Sequence, residues 1–174
     1  MQHRNLGSQM AEVVDIVATA DGNVVGRTRL QKTACLLSIS GLSDSFNFVY
    51  KHYGPFSQEL ADATEMAGLF SELNEEQRQT QWGSTFSIYS TTVKSHTEMG
   101  SARRSIIALA NSADAIELEL ATTAAFLATQ GFDSPWEETA NRKPEKVGSG
   151  RLERAKALYI RICSVDTPVA FPPI

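Results

Sequence analysis

Apolar residues recur at intervals of three and four positions through most of the chain, which is the spacing of helices that bury one face. Met10, Val13, Val14 and Val17 form one such stripe near the start. The pattern predicts helices over about 8–20, 27–38, 57–68, 99–110, 113–129, 134–143 and 150–163. Most of the chain is therefore predicted to be helical.

Between these helices, three segments have the character of strands. The first, 46–53, is rich in aromatic and β-branched residues and ends at Gly54-Pro55. The segments 70–73 and 85–88 alternate apolar and polar residues on either side of a Gln-rich stretch. Antiparallel pairing of these two segments would form a small hairpin.

The order of these elements predicts a mainly α (α+β) fold. Residues 1–95 are expected to form a winged helix-turn-helix-like core, with the hairpin as its wing. Residues 96–174 are expected to form a helical extension packed on that core as one compact unit. The length of 174 residues and the 42% apolar content suit a chain with a substantial core.

Cysteine content and hydropathy predict a cytoplasmic protein. Cys35 and Cys163 are far apart and neither belongs to a Cys-x-x-Cys pair. No apolar run is long enough for a signal peptide or a membrane span, so no membrane association is expected.

Positive charge is concentrated in one segment of an otherwise acidic chain. The net charge is -4, yet residues 141–161 contain seven basic and only two acidic residues. Such a segment could contact phosphate groups or could neutralise its own acidic body, and the second interpretation is favoured. In particular, Glu117 or Glu119 is predicted to pair with Arg142 or Lys143.

Residues typical of catalysis or metal binding do not form a recognisable set. His3, His52 and His96 have no ligand spacing among themselves or with cysteine, and Cys35 lies in an apolar helix. No Gly-rich phosphate loop is present. The chain is therefore predicted to have no catalytic residues, no metal and no cofactor, and an enzyme ranks third among the functional hypotheses.

The third helix argues against direct reading of DNA bases. Its exposed positions are predicted to be Gln58, Glu59, Asp62 and Glu65, and it contains no Lys or Arg. Phosphates would repel three carboxylates in a recognition helix. A DNA-binding transcriptional regulator is therefore the alternative hypothesis, and a separate basic patch on the second helix and the aromatic strand is the surface that would serve it.

Several motifs in this chain resemble a known group. They are R-x-R-L-Q-K from Arg27, Y-G-P-F-S from Tyr53, I-E-L-E-L-A-T-T from Ile116 and R-K-P from Arg142. Their order is similar to that of the YwgA-like family of largely uncharacterised bacterial proteins and, more distantly, to Panacea or SocA-type antitoxin domains. The resemblance covers most of the chain. It implies a winged-helix-like core with a helical extension, and a role in binding a partner protein.

The motifs also have a purely structural interpretation. Leu30 and Tyr53 would be core residues, Gly54-Pro55 a turn and Ser57 a helix cap. Neither packing nor capping accounts for Gln31 and Lys32 in that interpretation.

The preferred hypothesis is a non-enzymatic protein that binds a macromolecular partner, which is expected to be a protein. A homodimer through the Ala-rich helix 113–129 is considered, although a core role for that helix is favoured. The predicted contact residues are Arg27, Arg29, Gln31, Lys32, Lys51, His52 and Tyr53.

Overall fold

The computed structural model describes residues 5–174, so residues 1–4, including His3 and the start of the predicted core, lie outside it. Within this range the chain forms seven helices and five strands. They are α1 (Leu6–Thr19), β1 (Asn23–Val25), α2 (Arg27–Ile39), β2 (Val49–Lys51), β3 (Gly54–Phe56), α3 (Gln58–Leu69), β4 (Asn74–Gln79), β5 (Thr85–Ser90), α4 (Ala102–Ser112), α5 (Ala115–Thr129), α6 (Pro135–Arg142) and α7 (Arg151–Cys163).

The helices confirm the mainly α (α+β) class, and each begins and ends within three residues of its predicted limits. Side-chain caps explain why several of them begin where they do. Asn5, Ser57, Ser101 and Asp114 each accept a hydrogen bond from a backbone N–H in the first turn of the helix that follows.

Five strands form two separate antiparallel sheets. The larger sheet has the order β1-β5-β4, with Val24 opposite Tyr89 and Glu75 opposite the same tyrosine on the other side. The smaller sheet is the hairpin β2–β3, in which Tyr50 lies opposite Pro55. The first sheet therefore has β4 as one of its edges.

The predicted strands differ from the observed ones in three places. Only 49–51 of the predicted strand 46–53 is extended, and Gly54-Pro55 belongs to β3 rather than ending the strand. The first wing strand is 74–79, not 70–73. In addition, a strand that the sequence pattern did not predict, β1, follows directly after the Asp21-Gly22 turn. β4 carries no alternating pattern because both of its faces are exposed, so nothing selects for apolar residues along it.

Helix α5 lies at the centre of the molecule. Every residue from Leu118 to Leu127 is buried, and the helix packs against α2, α6 and α7. The buried cluster includes Leu30 and Leu60 of the first segment together with Leu120 and Ile162 of the second. Because α5 has no free face, the considered homodimer through its alanines is wrong, and the core role is confirmed.

The helices are too short or too polar for a lipid bilayer. Within residues 5–174, none combines the length and the apolar character that a membrane-crossing helix requires.

Candidate partner-binding surface

The hairpin β2–β3 presents three of the predicted contact residues to solvent. Lys51 ends β2, and His52 and Tyr53 form the turn; all three are exposed, with 60% of the Tyr53 residue surface accessible. The rings of His52 and Tyr53 meet edge to face, with centroids 4.9 Å apart. Tyr53 is therefore a surface residue, and its alternative assignment to the core is wrong.

Two cations from a distant part of the chain extend this surface. The guanidinium carbon of Arg142 lies 4.4 Å from the centre of the Tyr50 ring, and Lys146 Nζ lies 5.1 Å from the centre of the Tyr53 ring. Cations at these distances are attracted to the faces of aromatic rings. We call the resulting set the basic–aromatic surface; it consists of Tyr50, Lys51, His52, Tyr53, Arg142 and Lys146.

A buried ionic group lies directly beneath this surface. Glu119 of α5 accepts hydrogen bonds from Lys143 Nζ and Lys146 Nζ through the same oxygen, at 2.6 Å each. Lys143 is buried and its Nζ also lies 3.4 Å from the carbonyl oxygen of His52. The predicted pairing of Glu119 with Lys143 is confirmed, and it connects α5 to the turn of the hairpin.

Lys32 holds the other side of the hairpin from inside. Its side chain is buried, and Nζ donates a 2.8 Å hydrogen bond to the carbonyl oxygen of Pro55. Burial lowers the pKa of Lys32 to about 8. The charges of Glu119, Lys143 and Lys146 also act on this amine.

Gln31 joins α2 to the start of α3. Its amide Nε2 donates to the carbonyl oxygen of Ser57 at 2.9 Å, and its Oε1 accepts from the Ser57 N–H at 2.8 Å. The side chain therefore pairs with a backbone residue as a neighbouring strand would. The prediction that Gln31 and Lys32 contact a partner is wrong: because both are buried, they support the surface and do not form part of it.

Arg27 and Arg29 lie away from the basic–aromatic surface. Arg29 is half-buried and its guanidinium donates to the carbonyl oxygens of Ala110, Asn111 and Ala113 at the end of α4. Burial lowers its pKa. This arginine neutralises the negative end of a helix dipole, so its role is internal.

Arg27 faces a cleft between α2, α3 and the larger sheet. Its guanidinium pairs with Glu75 at 3.0 Å, and Glu75 also accepts a hydrogen bond from Ser87. Burial alone would raise the pKa of Glu75, but the hydrogen bonds from Ser87 and Arg27 lower it overall. The cleft measures about 480 Å³ and is also lined by Leu30 and Phe56. Of its polar residues, Arg27 and Glu75 bond to each other, whereas Gln31 and Thr64 bond to backbone atoms.

The two cysteines differ in exposure and neither is paired. Cys35 is fully buried, and burial raises the pKa of its thiol to about 12. A protonated, enclosed thiol is a poor nucleophile at neutral pH.

Sequence reasoning missed Arg142 and Lys146 as surface residues. The R-K-P motif singles out Arg142, but on sequence alone it is interpreted as part of the fold. The composition of the basic segment 141–161 could have indicated them, because its seven basic residues outnumber its two acidic residues. Arg154 and Lys143 pair with Glu117 and Glu119, which supports the internal interpretation for part of that segment.

No protein-family model and no curated protein matches this chain.

Proposed function

We propose that this protein is a non-enzymatic regulator that binds an acidic region of a partner protein through the basic–aromatic surface. The observation that supports this proposal is the exposed turn of β2–β3, where Lys51, His52 and Tyr53 stand beside Arg142 and Lys146. Exposed tyrosine and arginine side chains are typical centres of binding energy in protein interfaces.

The support beneath the hairpin favours binding over a merely solvated patch. Glu119, Lys143, Lys32 and Gln31 are all buried and bonded in or around the segment 52–57. Side chains that already occupy a fixed position lose little conformational entropy when a partner docks. Side chains of a patch without such support would lose more conformational entropy on binding.

We further propose that the core is winged-helix-like, with β2–β3 inserted between its second and third helices. The order α1-β1-α2-α3-β4-β5 and the sheet order β1-β5-β4 support this assignment. Membership of a YwgA-like group, with distant similarity to Panacea or SocA-type antitoxin domains, belongs to the same proposal. It is supported by the contacts that bring the motifs L-Q-K, Y-G-P-F-S, I-E-L-E-L-A-T-T and R-K-P together around the hairpin β2–β3.

A cytoplasmic location is part of the proposal. It is supported by Cys163, an exposed cysteine that has no disulfide partner, because such a thiol persists best in a reducing compartment.

Site-specific photo-crosslinking tests the partner-binding proposal. A photoreactive phenylalanine analogue at Tyr53 should capture one protein from extracts, whereas the same analogue at Ile160, which is 71% exposed on α7, should not. The captured protein is then purified and its affinity measured by calorimetry. Lys51→Glu with Arg142→Glu should weaken binding at least roughly tenfold. A control on α7, Lys156→Glu, should leave the affinity unchanged. Equal capture from both positions would contradict the proposal.

DNA binding is the alternative function, and one observation favours it: the β4–β5 hairpin follows α3 as a wing follows a recognition helix. The exposed side of α3 argues against it, because Gln58, Asp62 and Glu65 lie there without a basic residue. Fluorescence anisotropy with a labelled duplex at low salt separates the two functions. If the duplex binds tightly and Lys51→Glu with Arg142→Glu abolishes this binding, the partner of the basic–aromatic surface is nucleic acid and not a protein.

A further inference from the structure

Strand β4 is an open edge of the larger sheet. It pairs with β5 on one side only, and all six of its residues are exposed. Among the described residues, nothing bonds to the backbone of 74–79 on the opposite side. An edge of this kind is a template for another strand.

The hydrogen-bonding pattern shows which backbone groups face outward. The N–H of Gly26 bonds to the carbonyl oxygen of Ser87, so the backbone groups of Ser87 point toward β1. Its neighbour across the ladder, Gln77, therefore directs its own N–H and C=O away from β5. By alternation, the same holds for Glu75 and Gln79.

Charges along β4 favour one pairing of this edge with a second copy of itself. In an antiparallel pair centred on Gln77, each Glu76 lies opposite Arg78 of the other copy. A centre at position 76 would place Glu76 opposite itself, and a centre at position 78 would do the same for Arg78. Opposite charges across a strand pair stabilise it and like charges destabilise it, so the first of these three registers is favoured.

The same register brings exposed apolar residues together at both ends. Trp82, at the tip of the β4–β5 hairpin, is 90% exposed, and Leu69 and Phe70 just before β4 are 72% and 64% exposed. With Gln77 at the centre, Gln79, which leads into the tip, lies opposite Glu75 of the other copy, near the start of its β4. The tip with Trp82 then reaches the corner that carries Leu69 and Phe70.

We infer that two copies of this chain associate through β4, antiparallel and centred on Gln77, to form one continuous six-stranded sheet. The arrangement is symmetric, because each copy contributes the same strand, the same tip and the same corner. Two tryptophans and two phenylalanines bury roughly 150–250 Å² each when they are enclosed, so the aromatic contacts alone supply a substantial part of a standard interface. This surface is distinct from the basic–aromatic surface, and the inference stands without the proposed partner.

A charge-swap series tests the pairing by analytical ultracentrifugation over a range of concentrations. The unmodified chain should dimerise. Arg78→Glu should raise the dimer dissociation constant roughly tenfold or more, because two attractive pairs become repulsive. Glu76→Arg combined with Arg78→Glu should restore dimerisation, since the introduced arginine of each copy then lies opposite the introduced glutamate of the other. The inference would be overturned if the unmodified chain stays monomeric, or if the double variant dimerises no more tightly than Arg78→Glu.

Cysteine crosslinking tests the register directly. In a Cys163→Ser background, Gln77→Cys should form a disulfide-linked dimer under mild oxidation, because the two positions face each other with Cα atoms roughly 5.5 Å apart. Gln79→Cys is the matched control on the same face of the strand. Its two copies are offset by four positions, roughly 13 Å, and should not crosslink. Equal crosslinking at both positions would contradict the Gln77-centred register. Circular dichroism checks that each variant keeps the helical fold.

Discussion

Gln31 and Lys32 are adjacent polar residues on α2, and both point into the protein. Buried polar groups are tolerated when they have hydrogen-bond partners inside the protein. Gln31 achieves this with the backbone of Ser57, and Lys32 does so with the carbonyl oxygen of Pro55. Each polar side chain thus fixes one end of the segment 55–57 that leads from the hairpin into α3.

Replacement of Gln31 by leucine should destabilise the fold. The N–H of Ser57 would lose its acceptor, whereas the Ser57 carbonyl would keep its bond from the Ala61 N–H. The loss of one buried donor's partner costs about 1–3 kcal/mol of unfolding free energy, measured by urea denaturation. Gln58→Leu, at an exposed position one residue after Ser57, should change stability by less than about 0.5 kcal/mol. Equal effects from the two changes would contradict the role assigned to Gln31.

Lys32 should make stability depend on pH in a narrow alkaline range. Its pKa is about 8 in the folded protein, against an ordinary value of 10.5, so between these values the unfolded chain binds more protons. Stability should therefore rise by about 1 kcal/mol from pH 8 to pH 9. The raised pKa of Cys35 acts in the opposite sense, weakly between pH 8 and pH 9 and more strongly above pH 9, because the folded state retains a proton that the unfolded state loses.

Urea titrations at closely spaced pH values measure this rise. Lys32→Met should abolish the increase between pH 8 and pH 9. Cys35→Ala should keep it and extend it to higher pH, because the opposing group is gone. A rise that survives in Lys32→Met would assign the effect to another residue.

At the scale of elements, the hairpin β2–β3 depends on close contact with α5. Gly54 has a φ of +85°, and a Cβ atom built there would lie 2.5 Å from Thr123 Oγ1. Gly131 has the same φ of +85° but has no atom within 4 Å of such a Cβ. The two glycines therefore share a positive φ and differ in how closely other atoms pack against them.

Alanine substitution at the two glycines separates backbone strain from packing. Gly131→Ala should cost about 1–2 kcal/mol, the penalty of a left-handed backbone for a residue with a Cβ. Gly54→Ala should cost at least about 1 kcal/mol more, because Thr123 or the hairpin must move. Thermal or urea unfolding measures both. An equal loss of unfolding free energy at the two positions would show that the hairpin β2–β3 does not pack tightly against α5.

The ionic group under the hairpin provides a second test at this scale. Glu119→Leu should cost about 3–5 kcal/mol, because Lys143 would remain buried and charged without its partner. Adding Lys143→Met should recover part of this loss, which corresponds to a coupling of about 1–3 kcal/mol in a double-mutant cycle. The exposed pair Glu153–Lys156 on α7 is the control and should show a coupling below about 0.5 kcal/mol. A coupling equally small at Glu119–Lys143 would mean that this pair does not hold the segments together.

At the scale of the whole molecule, the predicted division into 1–95 and 96–174 does not divide the core. α2 packs against α5, and the buried cluster contains residues of both segments. A fragment ending at residue 95 would expose Leu30, Ala34 and Leu37 and leave Lys32 without its enclosure. We expect this fragment not to unfold cooperatively on heating, whereas mixing it with fragment 96–174 should restore a cooperative transition. A fragment 1–95 that melts cooperatively alone would make the first segment an independent domain.

The helices could be predicted from the sequence, because their caps and apolar stripes are local and act within one or two turns. The acidic side of α3 and the apolar setting of Cys35 could be predicted for the same reason. Strands were less predictable. β4 is exposed on both faces, and β2–β3 is a three-residue pairing, so neither has a periodic pattern that sequence could reveal.

The packing of the whole chain sets which polar residues lie inside the protein and which cations lie beside the hairpin. Lys32 and Lys51 are both lysines, yet the fold encloses one and leaves the other in water. Arg142 and Lys146 reach Tyr50 and Tyr53 only because α5 and α6 bring the two halves of the chain together. Burial and long-range proximity depend on the packing of distant segments, so no local pattern in the sequence could specify them.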